Sequence, residues 1–175
     1  SLEATKSIFL VTNGQEPDMI QKLQDENALP TQLYLSTNAA DYQSFLKINR
    51  PRYDDSWERW NRTLKMLSTL DTRTVLRITL IRGYNNSEET IPAFASLLQQ
   101  SNAHFIEIKS YMHIGRSVNR LEYSDMLEMD EVRHFANKLS QENNTFTVMD
   151  ESEISRIVIL QNKKRFVDRL IPSYC

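Results

Sequence analysis

The sequence predicts an α/β fold in which a parallel sheet forms an arc, and three observations carry the prediction. Extended apolar runs alternate with helical runs in units of about 25–40 residues, the order that right-handed crossovers between parallel strands produce. Each strand is aliphatic on one face, as strands under packed helices are, whereas the other face carries Thr12, Ser36, Arg77 with Thr79, or Glu107 with Lys109. A strand buried on both faces is apolar throughout, so the polar face looks into solvent, a partner or a filled pocket. The polar positions gather toward the strands' C-terminal ends, followed by loops holding Asn13, Asn38, Asn85 and His113. Ligands of barrels and open α/β sheets bind at that end. Four such units do not close a barrel. The 175 residues therefore read as a single partial domain, with residues from about 145 to 175 as a C-terminal extension.

Residues 7–12, SIFLVT, read as a buried strand that ends in the turn pair Asn13-Gly14. Pro17 suits a helix start, and residues 18–23 form a short helix. After Pro30, the alternation in Gln32–Ser36 sets Leu33 and Leu35 on one face and Tyr34 and Ser36 on the other. Asp41–Lys47 is a short helix. Ser56 reads as an N-cap for Trp57–Leu70, where Trp57, Trp60, Leu64, Leu67 and Leu70 form one apolar stripe. A binding surface would also use tryptophans, but this spacing is that of a core. Thr74–Ile81 is the third strand, Ser87 caps a helix through Gln100, and Phe105–Lys109 is the fourth strand, with Phe105, Glu107 and Lys109 on one face. The helix Asp130–Asn143 precedes two extended runs, Thr145–Met149 and Ile157–Leu160. The tail from Lys163 to Arg169 is basic and is read as helical.

Hydrophobic residues make up 40% of the chain and charged residues 25%, the composition of a globular protein. No run of about 18 apolar residues is present, so no membrane partner is expected and the expected location is cytoplasmic. A formal net charge of −2 gives no global basic footprint for nucleic acid. The single cysteine, Cys175, cannot form an internal disulfide or ligate an iron–sulfur cluster without other residues. His104, His113 and His134 lack ligand spacing; His104 and His134 read as structural or exposed, and His113 lies at the presumed mouth. Asp150, Glu151 and Glu153 read as a solvated acidic loop.

Four segments in order, TNG after the first strand, YLS at the second, RITLIRGYN at the third and IEIKSYMHIGRS at the fourth, resemble the later strands of the radical S-adenosylmethionine barrel. More narrowly, with RPRYDDSWERWNRTL and ESEISRIVIL, they resemble the wybutosine-synthesis family of tRNA 4-demethylwyosine synthases, from Ile8 to about Phe166. The resemblance implies a partial (β/α)6 TIM-like barrel, of which this chain supplies strands three to six and the C-terminal extension. It implies a lyase that forms 4-demethylwyosine (imG-14) from N1-methylguanosine at position 37 of phenylalanine tRNA and pyruvate. It also implies S-adenosylmethionine and a 4Fe-4S cluster in the complete enzyme. The family's CxxxCxxC motif, its second cluster cysteines and its substrate lysine lie upstream of the matched strands. Lys109 is accordingly not assigned as a pyruvate-binding lysine. Where the family tends to have S-x-D-A-P this chain has STNAAD, so Asn38 stands in place of an acid.

The residues expected at the cofactor are Asn13, Ser36, Arg77, Thr79, Glu107, Lys109, Tyr111 and Met112. Arg77 can hold a carboxylate with two parallel hydrogen bonds, Ser36 and Asn13 suit ribose or carboxylate oxygens, and the backbone through Tyr111 and Met112 can flank an adenine. Each has a plainer role available: Asn13 in the turn, Arg77 paired with Glu107, Tyr111 capping the core. No catalytic residue and no metal ligand is identified. Arg116, Arg120, Lys163, Lys164 and Arg165 are candidates for phosphate contacts. Two other functions compete with the first: a free-standing half barrel that binds nucleotide or RNA or complements a separate N-terminal subunit, and a different α/β enzyme using Arg77, Glu107 and Lys109 directly. A half barrel leaves the first strand's outer edge and the concave face open, so the isolated chain is expected to self-associate or to fold its tail across the gap. Light scattering over a dilution series, against a Phe9→Lys variant, reads this.

Overall fold

The computed structural model describes residues 5–171, so Cys175 lies outside the described residues. Six strands, β1 (Phe9–Thr12), β2 (Gln32–Thr37), β3 (Arg73–Leu80), β4 (Phe105–Ser110), β5 (Phe146–Ser152) and β6 (Ile157–Asn162), form one sheet in the order β1-β2-β3-β4-β6-β5. The first four are parallel. The last two were read from sequence only as extended runs; they form a hairpin whose β6 pairs antiparallel with β4 and widens the arc.

The crossovers are α1 (Pro17–Asp25), then α2 (Tyr42–Asn49) and α3 (Ser56–Met66), then α4 (Ile91–Ser101), then α5 (Met129–Glu142). Their apolar faces and the aliphatic face of the sheet make a single core in which Leu33, Leu35, Leu76, Ile78, Ile106 and Ile108 meet Trp60, Leu64, Phe94, Val132 and Phe135. The tryptophan stripe is therefore core: Trp60 is buried, with its indole N–H donating to the Ser36 carbonyl (3.1 Å). Gly14 makes this packing possible. Its φ is +76°, and a Cβ there would stand 2.7 Å from Leu35 Cδ1 and 3.1 Å from the Trp60 ring.

Several boundaries differ from the sequence reading for identifiable reasons. Asp55 rather than Ser56 precedes the first turn of α3, and the Ser56 hydroxyl donates back to the Tyr53 carbonyl. The helix expected from Ser87 begins as a 3-10 turn at Glu88–Thr90, because Pro92 has no N–H and crowds the carbonyl four residues before it. β1 is an edge strand, not a buried one: Phe9 and Val11 are half exposed. Thr12 is opposite Leu35 in the ladder, so it shares the aliphatic face and does not belong to the polar one. Its hydroxyl instead accepts from the Gly14 N–H (3.0 Å).

The tail is not helical. It runs irregularly beneath the N-terminal ends of the strands, at the opposite end of the sheet from the polar loops. Arg165 donates to the carbonyls of Leu67 (2.7 Å), Asn102 (3.1 Å) and Leu70 (3.2 Å), and Arg73 donates to the carbonyl of Arg169 (2.9 Å). The Leu67, Leu70 and Asn102 carbonyls follow α3 and end α4, where the Arg165 guanidinium satisfies acceptors the helices leave open.

His104 lies under this tail. Its Nδ1 accepts from the Thr74 N–H (3.1 Å), and burial, then Arg165 and Arg73, lower its pKa to about 4. An unfolded histidine titrates near 6.5, so the folded state binds fewer protons below that pH. Stability is therefore full above about pH 6.5 and falls as the pH drops toward 4, by at most about 3 kcal/mol. Urea unfolding at pH 7 and pH 4.5 should show this loss. A His104→Asn variant, whose amide oxygen can accept the same N–H without titrating, should lose much of the difference; an unchanged difference would remove His104 as its source.

Candidate functional site

Register across the parallel strands assembles the polar face. Ser36 stands opposite Arg77, Arg77 opposite Glu107, and Thr79 opposite Lys109. With the loops that follow, these strands open into a cleft of about 410 Å³ lined by Ser36, Asn38, Lys47, Ile48, Arg50, Arg77, Thr79, Ile81, Tyr84, Lys109, Ser110, Tyr111, Met112, Ile114, Ser117, Arg120 and Leu121.

Six of the eight expected residues thus face one space: Ser36, Arg77, Thr79, Lys109, Tyr111 and Met112. Glu107 lies behind them. It is buried, and its carboxylate holds Arg77, with Nε 2.6 Å from Oε1, close but off the line of the N–H, and Nη2 3.4 Å from Oε2. The guanidinium also lies over the Tyr34 ring, 4.4 Å from its centroid, a cation–π contact. Arg77 is consequently both paired and cleft-lining, and Glu107 is engaged rather than free for acid–base work. That weakens the reading of a small α/β enzyme using this pair directly. Asn13 lies apart. Its side chain accepts from the Gln15 N–H (3.2 Å) and lines a second cavity of about 520 Å³, which adjoins the cleft at Arg50.

Around the mouth, amides knit three loops together. Asn85, buried, accepts from the Ile81 N–H (2.7 Å) and donates to the carbonyls of Asn38 and Thr79 (both 2.8 Å). Asn38 donates to Asn49 Oδ1 (3.0 Å), a bond that needs the amide N–H of an asparagine and that an ionised carboxylate at this position could not donate. Tyr111 is buried and its hydroxyl donates to Ser117 Oγ (3.0 Å), which fixes the loop after β4.

Sequence reasoning missed Lys47, Arg50, Tyr84 and Ser117. The first two belong to α2 and its C-cap, read from sequence only as a short helix with no function attached to its charges. Of the basic residues proposed for phosphate, Arg120 lines the cleft and Arg116 is exposed in the 3-10 turn near it. Lys163, Lys164 and Arg165 sit at the far end of the sheet, with Arg165 committed to carbonyls. Five cations, Lys47, Arg50, Arg77, Lys109 and Arg120, therefore line a cleft to which no carboxylate contributes a lining side chain. Among the described residues no group of three or more His, Cys, Asp and Glu side chains could hold a metal ion, and no helix is long and apolar enough to cross a membrane.

A family model for wyosine base formation matches residues 100–162, which run from the end of α4 through β6. The S-adenosyl-L-methionine-dependent tRNA 4-demethylwyosine synthase of Methanocaldococcus jannaschii is 41% identical over 160 residues, 91% of this chain and 48% of that protein. The chain belongs to the tRNA 4-demethylwyosine synthase family. A solved structure of TYW1 with a lysine–pyruvate adduct bound superposes with a TM-score of 0.77 at 39% identity, covering 91% of this chain and 48% of the other. The chain thus spans about half the length of each of these two proteins, and 22% of the synthase of Mus musculus, to which it is 36% identical over 163 residues, 93% of this chain. A radical SAM methyltransferase from Sphaerobacter thermophilus, 16% identical with a TM-score of 0.51, covers 77% of this chain and 38% of its own and shares the fold. The arc is accordingly a partial radical SAM barrel.

Proposed function

We propose that this chain is the C-terminal half of the radical S-adenosylmethionine domain of a cytoplasmic lyase that makes 4-demethylwyosine from N1-methylguanosine-37 of phenylalanine tRNA and pyruvate. The observation that carries the reading is the convergence of Ser36, Arg77, Thr79 and Lys109 from three strands on one cleft, in a chain 41% identical to a synthase of that activity. The cleft suits S-adenosylmethionine. Among the described residues Lys109 has no carboxylate within ion-pair distance, and it shares a face with Arg77, so the two offer a carboxylate a site. Ser36 and Thr79 add hydroxyls, and the backbone through Tyr111 and Met112 borders the space for a ring. When bound, the cofactor supplies the carbon–sulfur bond whose reductive cleavage starts radical chemistry.

The cleaving cluster belongs to the upstream half, since one cysteine cannot hold it. The residues present do not fit a 4Fe-4S cluster, and the chain alone is inactive on this reading. The open edge of β1 takes the preceding strand in the complete protein, and in the isolated chain it is open to a second copy.

The test uses the complete protein under anaerobic conditions with methylated tRNA, pyruvate and S-adenosylmethionine, and mass spectrometry of the digested nucleosides. Formation of imG-14 is expected. Lys109→Met should raise the S-adenosylmethionine concentration needed for half-maximal rate at least about tenfold, the loss of one charge-assisted hydrogen bond. A complete protein with an intact cluster that makes no tricyclic base would overturn the function. An unchanged cofactor requirement in the variant would overturn the site.

A further inference from the structure

The cations of the cleft fall into two groups. Arg77 and Lys109 stand on the sheet, whereas Lys47, Arg50 and Arg120 surround the C-terminal end of α2, and Arg52 continues the row into the second cavity. Arg50 lines both cavities, so the row runs along one continuous rim. Among the described residues Lys47, Arg50, Arg52 and Arg120 have no carboxylate within ion-pair distance, whereas Arg59, Arg62, Arg82, Arg133 and Arg156 all do. Other cations without a carboxylate partner lie elsewhere: Arg73 and Arg165 are committed to carbonyls at the far end of the sheet, whereas these four surround one continuous space. Two are held in place: Arg120 donates to the Ile48 carbonyl (3.4 Å), and the Lys47 ammonium lies 5.0 Å from the centre of the Tyr84 ring.

Cations near a helix C-terminus are stabilised by the helix dipole, which accounts for Lys47 without any ligand. Arg50 shares that benefit but carries a backbone cost. Arg50 occupies the C-cap of α2 with φ 48° and ψ 61°, the left-handed conformation for which glycine is the usual residue. A non-glycine residue there costs roughly 1 kcal/mol. Arg156, also at positive φ, is held by Glu128 and the Leu127 carbonyl, whereas the Arg50 side chain has no such ion pair among the described residues and lines both cavities.

We propose that Lys47, Arg50, Arg52 and Arg120 form a track for successive phosphates of single-stranded RNA, leading one base into the cleft. The proposal rests on the reading of this chain as part of a tRNA-modifying enzyme and deepens it by naming the contact surface. A mononucleotide needs one cavity; a rim that spans two, joined at one arginine, matches a strand. Tyr84 lines the first cavity and Tyr53 the second, 38% and 46% exposed. Lys47 covers one face of Tyr84 and Arg59 one face of Tyr53, so each ring has one face left for a base, as in single-strand binders. Glu16, which accepts from the Tyr53 hydroxyl, is the carboxylate that lines the second cavity.

Fluorescence anisotropy of a short labelled single-stranded RNA, titrated with the full chain at several salt concentrations, tests this. Binding should weaken linearly with the logarithm of salt. Arg50→Gly should weaken it about five- to tenfold and reduce the salt slope by about one, while its thermal midpoint holds or rises because the cap is relieved. Lys47→Ala and Arg120→Ala should weaken binding similarly, and Lys65→Ala, exposed on α3, should not. Circular dichroism of each variant separates lost contacts from lost folding. If the rim variants bind as tightly as the parent, the track is wrong and the tRNA-enzyme reading stands. If the parent binds no RNA at low salt, the track falls, and the assay of the complete protein then decides the function separately. If adenosine monophosphate or inorganic pyrophosphate competes as well as RNA does, and the same variants lose that competition, the rim is a mononucleotide phosphate site and the track is overturned.

Discussion

Glu107→Ala should be among the most destabilising single changes in this chain, at about 3–5 kcal/mol, the usual cost of stranding one member of a buried ion pair. Glu107 is buried and the Arg77 side chain is one-quarter exposed, so little solvent screening discounts the pair. The pair sits mid-sheet, with Ile159 of β6 on the other side of Glu107 and the Tyr34 ring beneath the guanidinium. Truncation leaves a cation there without its anion. For a domain of this size the thermal midpoint should fall by roughly 8–15 °C. Arg77→Met alone should cost a similar amount by stranding the carboxylate. The double variant Arg77→Met, Glu107→Leu should recover most of the loss, because an apolar pair of similar volume replaces a buried pair at little cost. Urea unfolding of the four proteins gives the coupling directly. A Glu107→Ala loss below about 1 kcal/mol would mean that water already screens the pair.

The same pair illustrates what the sequence could disclose. Period 2 assigned Ser36, Arg77, Thr79, Glu107 and Lys109 to one face because alternation is a local property of each strand, and parallel pairing without a bulge preserved it across the ladder. Thr12 was assigned wrongly because alternation alone does not say which face of a strand is the polar one. Its own short strand has too few residues for alternation to decide a face, and the pairing of Thr12 with Leu35 decided it. The β5–β6 hairpin and its antiparallel seat on β4 depend on tertiary pairing that no local pattern encodes. Of the rim cations Arg120 was singled out for phosphate, but Lys47, Arg50 and Arg52 were not, because they lie in a separate segment that only the fold brings beside it. The tail was read as helical from composition; its residues instead serve carbonyls at the ends of two helices, partners invisible in a one-dimensional reading.

Asn85 carries the remaining large effect. Its one side chain satisfies the Ile81 N–H and the carbonyls of Thr79 and Asn38, tying the loop after β3 to the loop after β2 at the edge of the cleft. Asn85→Ala should cost about 2–4 kcal/mol, since it orphans a buried N–H and removes the donors of two carbonyls. Asn85→Asp is the more telling variant. An ionised carboxylate can still accept from Ile81, but its second oxygen would face two carbonyl oxygens with no proton between them, and the site is buried. At pH 7 the stability order should therefore be parent, then Asn85→Ala, then Asn85→Asp. Protonation restores an O–H donor, so the folded state of the Asp variant holds its proton to a higher pH than the unfolded chain, whose carboxyl titrates near 3.9. The variant should then gain stability relative to Asn85→Ala as the pH falls from 7 toward 4, the reverse of the trend His104 imposes on the chain as a whole. Comparing the two variants at each pH cancels the His104 contribution, which they share. If Asn85→Asp matches the parent at pH 7, the amide's two donated hydrogen bonds do not hold the mouth closed, and the loops after β2 and β3 are positioned by packing alone.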